Sequence, residues 1–185
     1  MVSVFALWLP IIISAVLVFL VSSLVHMVLP YHKSDFTKLP NEEGVRKALN
    51  DLSIPPGDYI VPYLSSSSEL KSEAYIQKTN EGPVGRIMLW ENGPPAMGAS
   101  MIQWFIYCIV VGVFAGYIAG AAHGPDSRYL DVFQFTGTVA FAAYGLALIQ
   151  NTIWYKQKWS TTLKFLFDAL IYAVLTAGVF GWLWP

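Results

Sequence analysis

The stretch Val4–Leu29, VFALWLPIIISAVLVFLVSSLVHMVL, contains no Lys, Arg, Asp or Glu. A bilayer core about 30 Å thick is crossed by about 20 apolar residues in a helix, so this segment is long enough to span one. Three further segments pass the same test: about Met101 to Ala122, Val132 to Ile153 and Leu163 to Trp184. None of them alternates apolar and polar residues as a membrane β-strand does. Trp8, Trp104, Trp154, Trp159, Trp182 and Trp184 stand near the segment ends, where an amphipathic ring meets lipid headgroups. The first segment has no positively charged start and no clear small-x-small site at its end, so it reads as an uncleaved anchor rather than a signal peptide. The fold class is an all-α membrane protein with four transmembrane helices, in residues 1–29, 101–122, 132–153 and 163–184.

Composition points the same way. Of 185 residues, 55% are hydrophobic and only 12% charged, against about 25% charged in a soluble domain. A net charge of −1 gives no basic face for nucleic acid. The single cysteine, Cys108, excludes an internal disulfide, a CxxC pair and a cysteine-rich zinc site.

Basic residues set the orientation. Lys33, Lys38, Arg46, Lys47, Lys71, Lys78 and Arg86 follow the first span, and Lys156, Lys158 and Lys164 lie between the third and fourth; Arg128 alone lies between the second and third. Basic loops stay inside, so both termini are expected outside and residues 30–100 in the cytoplasm. That polar segment predicts a small α/β cap. Asn41 is placed to cap a helix whose first turn holds Glu42 and Glu43, with Val45, Ala48, Leu49 and Leu52 at helical spacing. Pro55-Pro56-Gly57 ends it. Tyr59–Val61 and Gly85–Trp90 read as short extended pieces, and a second helix is expected near Glu69–Lys78. No internal repeat supports a repeat-built transporter.

Few residues suit chemistry. Gly112, Gly116, Gly120 and Gly124 recur every fourth residue in the second span, forming a groove that admits another helix backbone. The groove is expected to pack inside the bundle, where Ala169, Ala173, Ala177 and Gly181 of the fourth span offer a mating face, or to contact a second copy or another subunit. Asp168 is the acidic residue well inside an apolar run, at a cost of about 3 kcal/mol at a helix centre. It either pairs with Lys164 four residues earlier or handles a proton or ion. His26 ends the first span, with His32 soon after, and His123 ends the second. A metal or a bis-histidine haem needs ligands at one depth. His26 and His123 are a membrane apart on this topology, whereas His26 and His32, with Asp35, are near neighbours. Pro30 breaks the helix between them, so no helical spacing puts both on one face, and interfacial histidines bonded to backbone or lipid are the expectation. Gln103, Gln134, Thr136, Thr138, Tyr144, Gln150, Asn151 and Thr152 read as interhelical packing groups. GxSxG, the P-loop and GxGxxG are absent.

As a set, His26–Leu29, Tyr31–Asp35, Lys38–Glu42, Pro55–Tyr59, Glu81–Gly85, Gly93–Gly98, Asn151–Tyr155, Lys158–Thr162 and Thr176–Pro185 resemble a group of uncharacterised bacterial four-helix integral membrane proteins. The resemblance implies a bacterial membrane protein, in the inner membrane, with this architecture. It carries no activity, cofactor or site. The expected function is a non-catalytic subunit or assembly component of a membrane complex, in contact with lipid and with other membrane subunits or a second copy. The alternatives are a small oligomeric transporter or channel using Asp168, and a metal- or haem-linked redox protein using His26 and His32. The cofactor is unknown.

The topology has a direct test. Ser66→Cys in a Cys108→Ser background is expected to react with an impermeant thiol reagent only after cell membranes are opened. Labelling of sealed cells inverts the orientation.

Overall fold

The computed structural model describes residues 1–185. Its helices are α1 (Trp8–Met27), α2 (Glu42–Asp51), α3 (Glu73–Glu81), α4 (Met97–Ala122), α5 (Tyr129–Tyr144), α6 (Ile149–Tyr155) and α7 (Trp159–Trp182); two strands, β1 (Gly57–Val61) and β2 (Gly85–Leu89), pair antiparallel. Four helical stretches are long and apolar enough to cross a membrane: Val4–Met27, Met97–Ala122, Tyr129–Tyr155 and Trp159–Trp182. The chain forms two compact units, residues 1–37 with 96–185, and residues 38–95.

In the larger unit, α1 packs on α4 and α7, α4 on α5, and α5 most extensively on α7. Small residues set these contacts. A Cβ at Gly112 would stand 3.3 Å from Ile11, one at Gly116 would stand 3.1 Å from the Phe180 ring, and one at Gly120 would stand 2.3 Å from the Val2 carbonyl. The glycine row of α4 is thus filled mainly by α1 and the residues before it. The small face of α7 is turned elsewhere: Ala169 lies under Gly145, Ala177 under Gly137, and Tyr129 covers Gly181. The expected mating of these two faces with each other is corrected; each serves a different neighbour.

The third apolar stretch is not one continuous helix, as the sequence suggests. It is interrupted at Gly145 and passes through a short 3-10 turn, Leu146–Leu148, before α6. Gly145 lies so close to α7 that a Cβ would stand 2.8 Å from the Ala169 methyl and 3.3 Å from Leu166. The polar side chains of this stretch serve packing in part: Thr136 donates to its own helix at Val132 and Thr152 meets Thr162 of α7 at 2.6 Å. In α4, Trp104 donates to Ser22 of α1. Two buried clusters result. One joins Ala15, Val18, Cys108, Val111, Ala140, Tyr144, Ala169, Tyr172 and Ala173; the other joins Leu7, Ile11, Val132 and Phe180.

The smaller unit, residues 38–95, has no buried residue; a segment this short has little interior volume for a core. The Asn41 side chain accepts the Gly44 amide and starts α2. The second helix starts later than the sequence suggests, at Glu73, because Ser72 rather than the serine run caps it through the Tyr75 amide. Gly82, at φ 67°, ends it, a conformation glycine adopts without penalty. Arg86 reaches Asp58 across the strand pair at 2.9 Å.

Gly145→Ala is expected to lower stability by about 1–3 kcal/mol through overpacking against α7. Gly98→Ala, where a Cβ meets nothing within 4 Å, is expected to be neutral or mildly stabilising through helix propensity. Thermal unfolding of both variants in one detergent checks this; equal melting points contradict the close approach.

Candidate functional site at the junction of α1 and α7

α1 ends at Met27, and Leu29 adopts an extended conformation. Pro30 then opens a 3-10 turn, Pro30–Ser34, its fixed φ suiting a first helical position where no amide is needed. This turn folds back on the end of α1 and against α7. It lays the His32 ring on the His26 ring, centroids 4.4 Å apart, and Phe165 of α7 covers them, 5.2 Å from His32 and 6.0 Å from His26. The break at Pro30 rules out a helical spacing that would put the two histidines on one face, yet the turn that follows it brings their rings together.

Asp168 faces this turn. It lies nine residues after Trp159, about 14 Å along α7, and is 1% exposed. Tyr31 donates a hydrogen bond to its Oδ1. His32 Nε2 stands 2.8 Å from Oδ2 and His26 Nε2 stands 3.9 Å from the same oxygen. On its other side, His32 Nδ1 lies 2.6 Å from Asp35 Oδ2.

Lys164 does not pair with Asp168. Its ammonium donates to the Tyr31 carbonyl at 2.6 Å, to Ser34 Oγ at 2.7 Å and to Asp35 Oδ1 at 2.7 Å. An ammonium has three protons to place, and the turn offers three acceptors where Asp168 offers one group already engaged by Tyr31 and His32. Thr161 adds a bond to Asp35 Oδ1 at 3.3 Å. Burial pushes the Asp35 carboxyl up, but the hydrogen bonds and charges of Lys164 and His32 outweigh it and hold the group below the usual carboxylate range. Burial, and then the bond to Asp168, drive the Tyr31 phenol well above its ordinary value.

The structure therefore gathers His26, His32, Asp168, Asp35, Tyr31 and Lys164 at one end of the bundle. One ligand-type atom from each of His26, His32 and Asp168 lies within 4.8 Å of the others. The stacked rings leave no gap for a porphyrin between them, as two axial haem ligands require, so haem does not fit this pair. His123 is remote, at the far end of α4, its ring edge-on to Phe135 at 4.6 Å and its Nε2 buried without a partner. Gly112, Gly116 and Gly120 take no part. Sequence reasoning missed Tyr31 and gave Asp35 only a minor place; the His32–Asp35 spacing of three in a turn that begins with proline is the signal that points to them.

No family model, curated protein or solved structure matches this chain.

Lys164→Met leaves Asp35 buried without its ammonium and is expected to cost about 3 kcal/mol at neutral pH. Because the folded-state value of Asp35 is lowered, its contribution is present above its unfolded value near 3.8 and is lost as pH falls through the lower folded value. In Lys164→Met burial prevails and raises the Asp35 carboxyl, so the stability gap between the two proteins should be widest near neutral pH and narrow as pH falls and Asp35 takes up its proton first in the variant. A gap independent of pH down to acid unfolding contradicts the pairing.

Proposed function

We propose that this chain is a multi-pass membrane protein that binds a cation where His26, His32 and Asp168 meet. One observation carries the reading: the His32 ring faces a carboxylate oxygen with each of its two nitrogens, at 2.6 Å and 2.8 Å. A neutral imidazole has one N–H. One contact therefore sets a nitrogen lone pair against an oxygen lone pair unless a cation, a proton or a metal ion, lies between them. The charges lead to the same requirement. The Asp35 and Asp168 side chains are both nearly fully buried, and the one ammonium beside them, Lys164, pairs with Asp35 alone. A bound cation neutralises the remaining negative charge, which is costly where water is scarce.

Four long apolar helices with aromatic residues at their ends support membrane insertion. The basic residues support termini outside and residues 30–100 in the cytoplasm, and the resemblance supports a bacterial inner membrane. On that topology the site lies toward the cytoplasmic side, and the 40% exposed His26 side chain is its opening. An assembly role draws support from the glycine row, the absence of a catalytic set and the small cap; of these the glycine row is weakened, because Gly112, Gly116 and Gly120 are covered by Ile11, Leu7, Phe180 and Val2 of the same chain. Cation binding has the stronger support. Transport by an oligomer is the mobile form of the same reading, with Asp168 as the binding step.

The test is thermal unfolding of purified wild type and Asp168→Asn across Na⁺, K⁺, Mg²⁺, Ca²⁺, Co²⁺ and Zn²⁺ and across a pH series. At a hundredfold excess over its dissociation constant, a bound ion contributes about 2.7 kcal/mol, a rise of about 5–10 °C for a chain of this size. That rise should occur in wild type and vanish in Asp168→Asn. Identical responses of the two proteins to every ion and to pH sink the reading.

A further inference from the structure

The coordinating atoms say which cation. Resting on the cation-binding reading, we infer that His26, His32 and Asp168 form a three-ligand site for a first-row divalent transition metal, with Asp35 and Tyr31 as positioning residues. Hard ions such as Mg²⁺ and Ca²⁺ take oxygen ligands, whereas two imidazoles with one carboxylate suit Zn²⁺, Co²⁺, Ni²⁺ or Fe²⁺.

The outer contacts are those a metal site needs. A ligating histidine presents one nitrogen to the metal and gives its other N–H to a carboxylate or carbonyl, which fixes tautomer and ring orientation. His32 Nδ1 has Asp35 at 2.6 Å for this purpose. With that proton on Nδ1, the Nε2 lone pair points toward Asp168 Oδ2, 2.8 Å away, so two donor atoms face one point. Asp35 is itself held by Lys164 and Thr161. Tyr31 binds Oδ1 of Asp168, which leaves Oδ2 as the metal-facing oxygen. Three levels of support thus converge on a pair of atoms that would otherwise repel each other.

The distances suit closure around an ion. Donors at 2.0–2.1 Å from a tetrahedral metal are separated by about 3.3 Å. Oδ2 of Asp168 stands 2.8 Å from His32 Nε2 and 3.9 Å from His26 Nε2. Small side-chain rotations that open the His32–Asp168 pair by about 0.5 Å and draw His26, the exposed member, in by about 0.6 Å complete the arrangement. Three protein ligands leave a fourth position for water or an exogenous ligand, unlike the closed four-ligand pattern of structural sites.

The experiment uses full-length protein purified in mild detergent without a polyhistidine tag. Co²⁺ titration should yield the visible d–d bands of a low-coordinate cobalt centre at one equivalent, and Zn²⁺ should bleach them. Affinity should fall at least about 100-fold in His32→Ala and His26→Ala and about 10- to 100-fold in Asp35→Asn, with no change in His123→Asn. Variants that fail to elute as monodisperse protein are replaced by a measurement needing none: X-ray absorption of zinc-loaded wild type, which should show two imidazoles and a carboxylate oxygen. A zinc centre lacking two imidazoles, or binding unchanged in His32→Ala, overturns the assignment. An Asp168-dependent response confined to Na⁺, Ca²⁺ or pH overturns the transition metal but leaves the cation-binding reading standing. No Asp168-dependent response to any ion or to pH overturns both.

Discussion

A carboxylate buried about 14 Å along an apolar helix has to be met by the protein, because at 1% exposure water does not reach it. Asp168 imposes that condition on everything near it. A helix continuing through Pro30 would carry Tyr31 and His32 away from α7. The chain instead stops α1 at Met27, turns at Leu29–Pro30 and folds back so that both side chains reach Asp168. Three donors of Lys164 fasten the same turn to α7. The burial of one acid thus dictates where the first apolar helix ends and how the following turn is held.

α7 is the element on which these demands converge. One face offers alanines to α5 and to the Gly145 joint, and its first half carries Thr161, Lys164 and Asp168 toward the Pro30 turn. Thr162 holds α6. The close approach of backbones and the polar cluster are two uses of one helix. Small residues bring the neighbours near, and near neighbours exclude the water that would otherwise weaken the ionic contacts.

The apolar stretches were legible because hydropathy is a local property, and so was the Asn41 cap, which needs only a side chain and an amide three residues on. The fate of Lys164 was not. Spacing of four put it beside Asp168, and nothing local shows that a turn more than a hundred residues earlier in the chain offers three acceptors. The meeting of His32 with Asp168, 136 residues apart, is invisible for the same reason. Pro30 was read correctly as a break, but a break specifies where a helix stops and not where the chain goes next. The interruption at Gly145 escaped because a lone glycine in an apolar run looks the same whether it packs against a neighbour or parts a helix.

That interruption makes the third apolar stretch a jointed strut of two rods. The upper rod, α5, ends with carbonyls that have run out of helical amides, and the Tyr107 hydroxyl of α4 serves one of them, Ala143, at 2.6 Å. The lower rod, α6, is clasped to α7 by Thr152 and Thr162. A phenol and a hydroxyl pair therefore tie the two rods to different partners. Each rod thus keeps its own polar tether while α5 keeps its main packing on α7, and Gly145 is the knuckle at which one rod gives way to the other.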